Sequence, residues 1–180
     1  TSKGEIAADQ FVYATGAWTP LLARALGIRV PIQPGKGYSI TTTLPRVVPK
    51  IPLILEEHSV AITPFHDGYR IGSTMEFAGY DSRMNPQRLE LLRNGARVYL
   101  EEPYTDQVQE EWYGWRPMTW DGKPVVDRTP SMDNTWIAAG HNMLGLSMAP
   151  ATGKLVAELI NDEVPHLNPH PLNLRRLGIG

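Results

Sequence analysis

The sequence has no cysteine among its 180 residues. That removes disulfides, thiolate zinc sites, iron–sulfur clusters and any cysteine-linked cofactor. Positive charge is not in excess either: 17 Lys and Arg stand against 19 Asp and Glu, for a formal net charge of −2. No broad electropositive surface is therefore on offer to nucleic acid, and no basic-aromatic cluster suggests single-strand stacking. No apolar run approaches the roughly 20 residues of a transmembrane helix, and the polar opening Thr1-Ser-Lys-Gly-Glu5 is not a secretory signal. The histidines at 58, 66, 141, 166 and 170 are dispersed except for His166-Leu-Asn-Pro-His170, where the intervening proline and the Pro- and Asn-rich surroundings argue against the helix that would turn both rings to one ion, and no metal is predicted. Gly-x-Gly-x-x-Gly is absent too, since Gly35 and Gly37 are followed by Ile40 where a third glycine would stand. The chain starts without Met and as though inside a strand, so it reads as a fragment.

What remains is a chain long enough to bury a core, with ordinary apolar content. Ile6 to Ala14 is β-type and ends at Thr15-Gly16; a helix follows, with Thr19 as its cap, Pro20 in its first turn and Leu21, Leu22, Ala25 and Leu26 as its buried face. Prolines at 31, 34, 45, 49 and 52 leave one clear strand near Tyr38 to Thr43. Ser59 to Pro64 and Tyr69 to Met75 flank Phe65-His-Asp-Gly68 and predict an antiparallel hairpin. Asn85-Pro86 opens a helix carrying Leu89, Leu92, Ala96 and Tyr99 at helical spacing, continuing to about Leu100. A strand from Gln107 to Arg116, an Asp121-Gly122 turn, an extended Pro124 to Asp127 and a strand at Thr135 to Ala139 complete the order. The Trp residues at 112, 115, 120 and 136 read as core more readily than as a ligand wall. The tail after Asp162 is expected on the surface without a core.

The segment from Ala138 to Ile160 passes from a short apolar strand through glycines into a helix. That order aims a helix N-terminus, with its unpaired N–H groups and positive dipole end, at whatever lies above the strand. Gly140 and Gly145 leave room for a planar ring, and Ser147 suits the N-cap. Four segments then occur together: Ala14-Thr-Gly-Ala-Trp18, Pro34-Gly-Lys-Gly-Tyr38, Gly114-Trp-Arg-Pro-Met-Thr-Trp-Asp-Gly-Lys-Pro124 and Gly140-His-Asn-Met-Leu-Gly-Leu-Ser147. Together they resemble the C-terminal half of the D-amino-acid oxidase/dehydrogenase-like (DAO) flavoproteins. Gly72-Ser-Thr-Met-Glu-Phe-Ala-Gly-Tyr-Asp81 followed by Asn85-Pro86 turns the resemblance toward the bacterial D-amino-acid dehydrogenase small subunits. It covers the chain up to Asp162.

The resemblance implies an α+β fold: a mostly antiparallel substrate-domain sheet with a flanking helix over residues 31–118, and parts of a Rossmann-like FAD domain over 1–30 and 119–164. The N-terminal part of that FAD domain would be absent, and 165–180 would be a surface tail. It implies an FAD-dependent oxidoreductase acting on an amino acid, with the fragment alone inactive. Its partners would be the substrate, the missing FAD-binding segment of the same protein and an unidentified electron acceptor. A cytoplasmic location is implied, with peripheral association at the inner face of the membrane left open.

The same resemblance assigns residues. Arg116 would be the catalytic cation that grips the substrate carboxylate; spacing alone favours instead an arginine paired with a nearby acid such as Glu110 or Asp121, and the resemblance reverses that preference. Gly140, His141, Asn142, Met143, Leu144, Gly145, Leu146 and Ser147 would run along the flavin ring, and Gly16, Ala17 and Trp18 would form a second flavin-contact turn. His141 is not taken as a base; packing or backbone positioning is the alternative to a proton shuttle. Ala61 stands where some relatives place a substrate-contacting tyrosine, leaving His58 or Tyr38 to compensate, against a loop histidine or a core tyrosine. Met143, where glycine-oxidase-like relatives place an arginine, would line the pocket and favour an apolar substrate side chain. A glycine/sarcosine-type oxidase, a flavin-dependent 2-hydroxy-acid dehydrogenase and a noncatalytic interface module of the same fold stay open.

Overall fold

The structure is a computed structural model that describes residues 2–178. In chain order its elements are β1 (Phe11–Tyr13), α1 (Thr19–Ala25), β2 (Gln33–Thr42), β3 (Leu53–Leu55), β4 (Val60–Pro64), β5 (Tyr69–Glu76), α2 (Pro86–Arg97), β6 (Val108–Met118), β7 (Val125–Arg128), β8 (Thr135–Ala139) and α3 (Gly145–Ile160). Short 3-10 turns lie at Gly16–Trp18, Glu56–His58, His170–Leu172 and Leu174–Leu177. The fold is mixed α+β in two compact units, one made by the chain up to Pro34 and from Arg116 onward, the other by Gly35–Trp115. No helix of the described residues is long and apolar enough to cross a membrane.

The Gly35–Trp115 unit holds a five-stranded sheet in the order β3-β4-β5-β2-β6. The predicted hairpin forms: β4 and β5 pair antiparallel from Val60↔Ser73 to Pro64↔Tyr69, and the Phe65 N–H donates to the Gly68 carbonyl at 2.8 Å. Tyr38, Ile40, Val60, Ile62, Tyr69 and Ile71 meet Leu89, Leu92 and Ala96 of α2 in one core. Burying each large aliphatic contributes about 1.5–3 kcal/mol. Asn85 caps α2 by accepting from the Gln87 N–H at 3.1 Å, with Pro86 following as expected. The helix ends at Arg97, short of Leu100, and leaves Tyr99 exposed. Gly95 lets α2 come down on the sheet, because a Cβ there would lie 2.7 Å from Val60 Cγ2 and 2.9 Å from His58 Cβ. The proline-rich stretch holds more strand than expected. β2 begins at Gln33 and passes through Pro34 before its first pairing with β5, and β3 follows Pro52 at the sheet edge, where a missing donor is tolerated.

The other unit has a three-stranded sheet, β1-β8-β7, in which β1 and β8 are parallel and β7 and β8 antiparallel. Alternation along β7 and β8 serves both faces. Val125, Ile137 and Ala139 join Ala23, Ile28, Val30 and Ile32 on one, while Val126 and Ala138 pack with Leu155 and Val156 of α3 on the other.

Four expectations change here. The turn at Gly16–Trp18 runs straight into α1, making Trp18 rather than Thr19 the N-cap. That phase buries the small Thr19 and Ala23 and leaves Leu21 and Leu22 exposed. Of the β-type stretch from Ile6, only Phe11–Tyr13 is strand. The tail is not coreless: Leu174 is 2% exposed and belongs to the α1-side core, its N–H donates to Asp127 at 2.8 Å, and Arg176 reaches Asp121 at 2.7 Å. Trp120 is not core either, being 77% exposed.

Candidate functional site

Because β1 and β8 are parallel neighbours, their C-terminal ends lie side by side, and the chain leaves both through glycine. Gly16 has φ +55° and Gly140 φ +82°. At Gly140 both the conformation and the space demand glycine, since a Cβ would meet Thr119 Cγ2 at 2.7 Å and Ile32 Cδ1 at 3.3 Å. Carboxyl ends of parallel strands are where open α/β sheets bind ligands.

Beyond Gly140, Asn142 takes a left-handed conformation with φ +55°. The Leu144 N–H closes on the His141 carbonyl at 3.0 Å, and α3 starts at Gly145. The N-cap is Leu144, with no side-chain cap, so Ser147 sits in the first turn instead of capping it. Uncapped, that turn presents its N–H groups and the positive end of a 16-residue helix outward. Met143, Leu144 and Leu146 beside it are exposed.

Arg116 lies near the end of β6, within the same unit as the loop. Burial pushes its guanidinium pKa down, and its buried Nη1 has no hydrogen-bond partner among the described residues. Both acids that might have neutralised it are taken: Glu110 pairs with Arg70 at 3.1 Å and Asp121 with Arg176 at 2.7 Å. A desolvated cation with an unsatisfied donor is a place for an anion, and a planar fork suits a carboxylate.

His141 points toward α3, where its Nε2 is 2.9 Å from Thr152 Oγ1. Burial lowers its pKa, favouring neutral imidazole. It borders a groove of about 270 Å³ lined by Val12, Ala14, Ala138, Ala149, Gly153 and Val156. Ala17 is buried at the second turn, and Trp18 is half exposed.

Tyr38 and His58 belong to the other unit and have partners there. Tyr38 is core; burial, then its hydrogen bond to Glu76, raises the phenol pKa, and the same bond holds the Glu76 carboxyl below its usual range. His58 is exposed and shares a 3.2 Å contact through Nδ1 with Tyr99 Oη. Sequence reasoning missed Thr119 and Thr152, which hold Asn142 and His141. Thr152 stands eleven residues beyond His141 and Thr119 twenty-three before Asn142, so no local pattern announces either contact.

Residues 1–159 match the DAO family model, described as FAD dependent oxidoreductase. A D-amino acid dehydrogenase from Paramagnetospirillum magneticum is 36% identical over 181 residues, covering 99% of this chain and 42% of that protein. One from Xanthobacter autotrophicus is 37% identical over 179 residues, covering 96% and 42%. The solved glycine oxidase from Geobacillus kaustophilus aligns with a TM-score of 0.87 at 26% identity, over 96% of this chain and 47% of that one. The chain spans less than half the length of each of these relatives.

Proposed function

The chain belongs to the DAO family of FAD-dependent oxidoreductases, and on that premise we propose that it contributes the substrate-side sheet and the flavin-ring loop of an enzyme that oxidises a D-amino acid. The observation that carries this reading is Arg116, a desolvated guanidinium whose buried Nη1 has no partner among the described residues. It holds the substrate carboxylate, leaving Cα and its amine to be oriented by the rest of the site. Bound FAD would supply the oxidant that takes a hydride from Cα. The loop from Gly140 and the first turn of α3 give the flavin's electron-rich edge close backbone and positive potential. His141, neutral and held by Thr152, orients the loop and moves no proton. Met143 lines the substrate side and selects an apolar side chain.

β1 has no strand beyond it among the described residues, and Phe11 and Val12 are exposed. The small-residue groove beside it suits closely packed backbone. We place there the remaining Rossmann part of the FAD domain, so the 180-residue chain by itself should hold FAD weakly and elute colourless from gel filtration.

The deciding experiment uses the full-length flavoprotein without oxygen. Addition of D-alanine should bleach the flavin and yield pyruvate and ammonia. Bleaching by a 2-hydroxy acid without ammonia would assign a hydroxy-acid dehydrogenase, and preference for glycine or sarcosine a glycine-type oxidase. A protein reduced by none of these would be the noncatalytic module.

A further inference from the structure

Asn142 satisfies its backbone N–H and its whole side-chain amide on two pieces of the same unit. Its N–H donates to the Pro117 carbonyl at 3.1 Å, its Oδ1 accepts from the Thr119 N–H at 2.9 Å, and its Nδ2 donates to Thr119 Oγ1 and the Gly140 carbonyl, both at 3.1 Å. Thr119 Oγ1 passes its own proton to the Lys123 carbonyl at 2.9 Å, so it is free to accept. This network fixes the amide orientation. A flipped amide would set Nδ2 against the Thr119 N–H and Oδ1 against the Gly140 carbonyl, two mismatches. The side chain makes these bonds from a left-handed backbone, which Asn tolerates better than other non-glycine residues.

The two pieces held together are the ones to which function is assigned. Pro117 and Thr119 are the first and third residues after Arg116, and Asn142 lies between Gly140 and the start of α3. The turn that follows is gripped from its other side, where Arg176 Nη2 donates to the Lys123 carbonyl at 2.7 Å and Nε to Asp121. The geometry points to Asn142, acting through Thr119, as the positioning residue that sets the carboxylate-binding Arg116 in register with the flavin-ring loop; this rests on the reading of Arg116 and the loop given above. It touches no reacting atom. Its work is to keep two ligand-facing groups from shifting independently, and a misplacement of about 1 Å costs on the order of 100-fold in rate.

The test uses the full-length, FAD-loaded protein with Asn142→Gly, Thr119→Val and Thr119→Ser. Asn142→Gly keeps the positive φ and the N–H bond to Pro117 while removing the side-chain bridge. Thr119→Val removes the hydroxyl at constant shape, and Thr119→Ser keeps it. Asn142→Gly and Thr119→Val should each lower kcat on the order of 100-fold, leave KM within about threefold and shift the visible absorption of bound flavin. Thr119→Ser should restore both to near wild type. Unchanged kcat and absorption in Asn142→Gly, or a Thr119→Ser protein as defective as Thr119→Val, would overturn the assignment. Should no amino acid reduce the wild-type flavin, the reading beneath it fails, and absorption alone decides. A shift in Asn142→Gly and Thr119→Val but not in Thr119→Ser then supports the bridge, and no shift removes it.

Discussion

The unit Gly35–Trp115 and the unit holding Arg116 treat the same kinds of residue differently. In the first, Arg46, Arg70, Arg83, Arg93 and Arg97 each meet a carboxylate at 2.7–3.2 Å, α2 carries an asparagine cap, and α2 and the sheet close one apolar core. Most of those pairs are exposed and contribute little to stability, but each of these five guanidinium groups is met by a carboxylate of its own unit. In the second, Arg116 is desolvated with no paired acid among the described residues, α3 starts uncapped, and an edge strand borders an apolar groove. Among these arginines, the one its own unit leaves unpaired is the candidate for binding something else, and the paired ones belong to the surface of the fold.

Arg116→Ala in the full-length enzyme should produce the largest change if that contrast is functional. Losing a buried charge-assisted contact to a carboxylate costs about 2–5 kcal/mol, roughly a thirty- to several-thousand-fold fall in kcat/KM. The flavin spectrum should stay intact, and Arg116→Lys should recover little because the planar fork is lost. Wild-type kinetics in Arg116→Ala would erase the distinction between the two units. Gly95→Ala tests the other side. Helix propensity favours Ala by about 1 kcal/mol, yet the new Cβ meets Val60 Cγ2, a stiff side chain fixed in the core, and His58 Cβ close to its backbone. Overpacking of that kind costs about 1–3 kcal/mol. Denaturant unfolding should show a net loss of stability with kcat unchanged, and a stabilised protein would mean that α2 has room to lift.

Much of the fold was readable because its signals are local. The hairpin turn at Phe65–Gly68, the Asn85-Pro86 helix start and the strand-glycine-helix order from Thr135 all sit within a few residues of what they direct. The buried face of α1 was misread because the turn at Gly16–Trp18 resets the helix phase before the apolar residues arrive. The tail was misread because Asp127 and Asp121, 47 and 55 residues earlier, anchor Leu174 and Arg176. The site divides in the same way. Gly140 and the start of α3 are local motifs, whereas the freedom of Arg116 depends on where Glu110 and Asp121 go, and that is decided by Arg70 and Arg176 from distant strands and turns.

Substrate choice sharpens the comparison at a smaller scale. Met143 is exposed beside the uncapped helix start, where an apolar wall for a substrate side chain would be useful. D-Alanine or a larger apolar D-amino acid should exceed glycine and sarcosine in kcat/KM. Met143→Arg should swing that ratio toward the small substrates by about 10–200-fold, the equivalent of 1–3 kcal/mol. A wild-type preference for glycine or sarcosine would remove Met143 from the pocket while leaving Arg116 in place.

The smallest effect concerns His141, whose ring is buried beside Thr152 and whose pKa is lowered from 6.5 by that burial. The unfolded chain therefore takes up this proton at a higher pH than the folded one does. Stability from the buried neutral ring is fully present above about pH 6.5 and is lost as pH falls from there toward the lowered folded value. One proton limits the slope to about 1.4 kcal/mol per pH unit. His141→Gln keeps a hydrogen-bonding partner for Thr152 without a titrating group, and the other histidines are common to both proteins. The difference in urea midpoint between wild type and His141→Gln, measured from pH 8 to pH 5, should move against the wild type as the pH drops. A difference that stays constant with pH would show that His141 is solvated enough to protonate freely, and its neutral positioning role beneath the loop would fall with it.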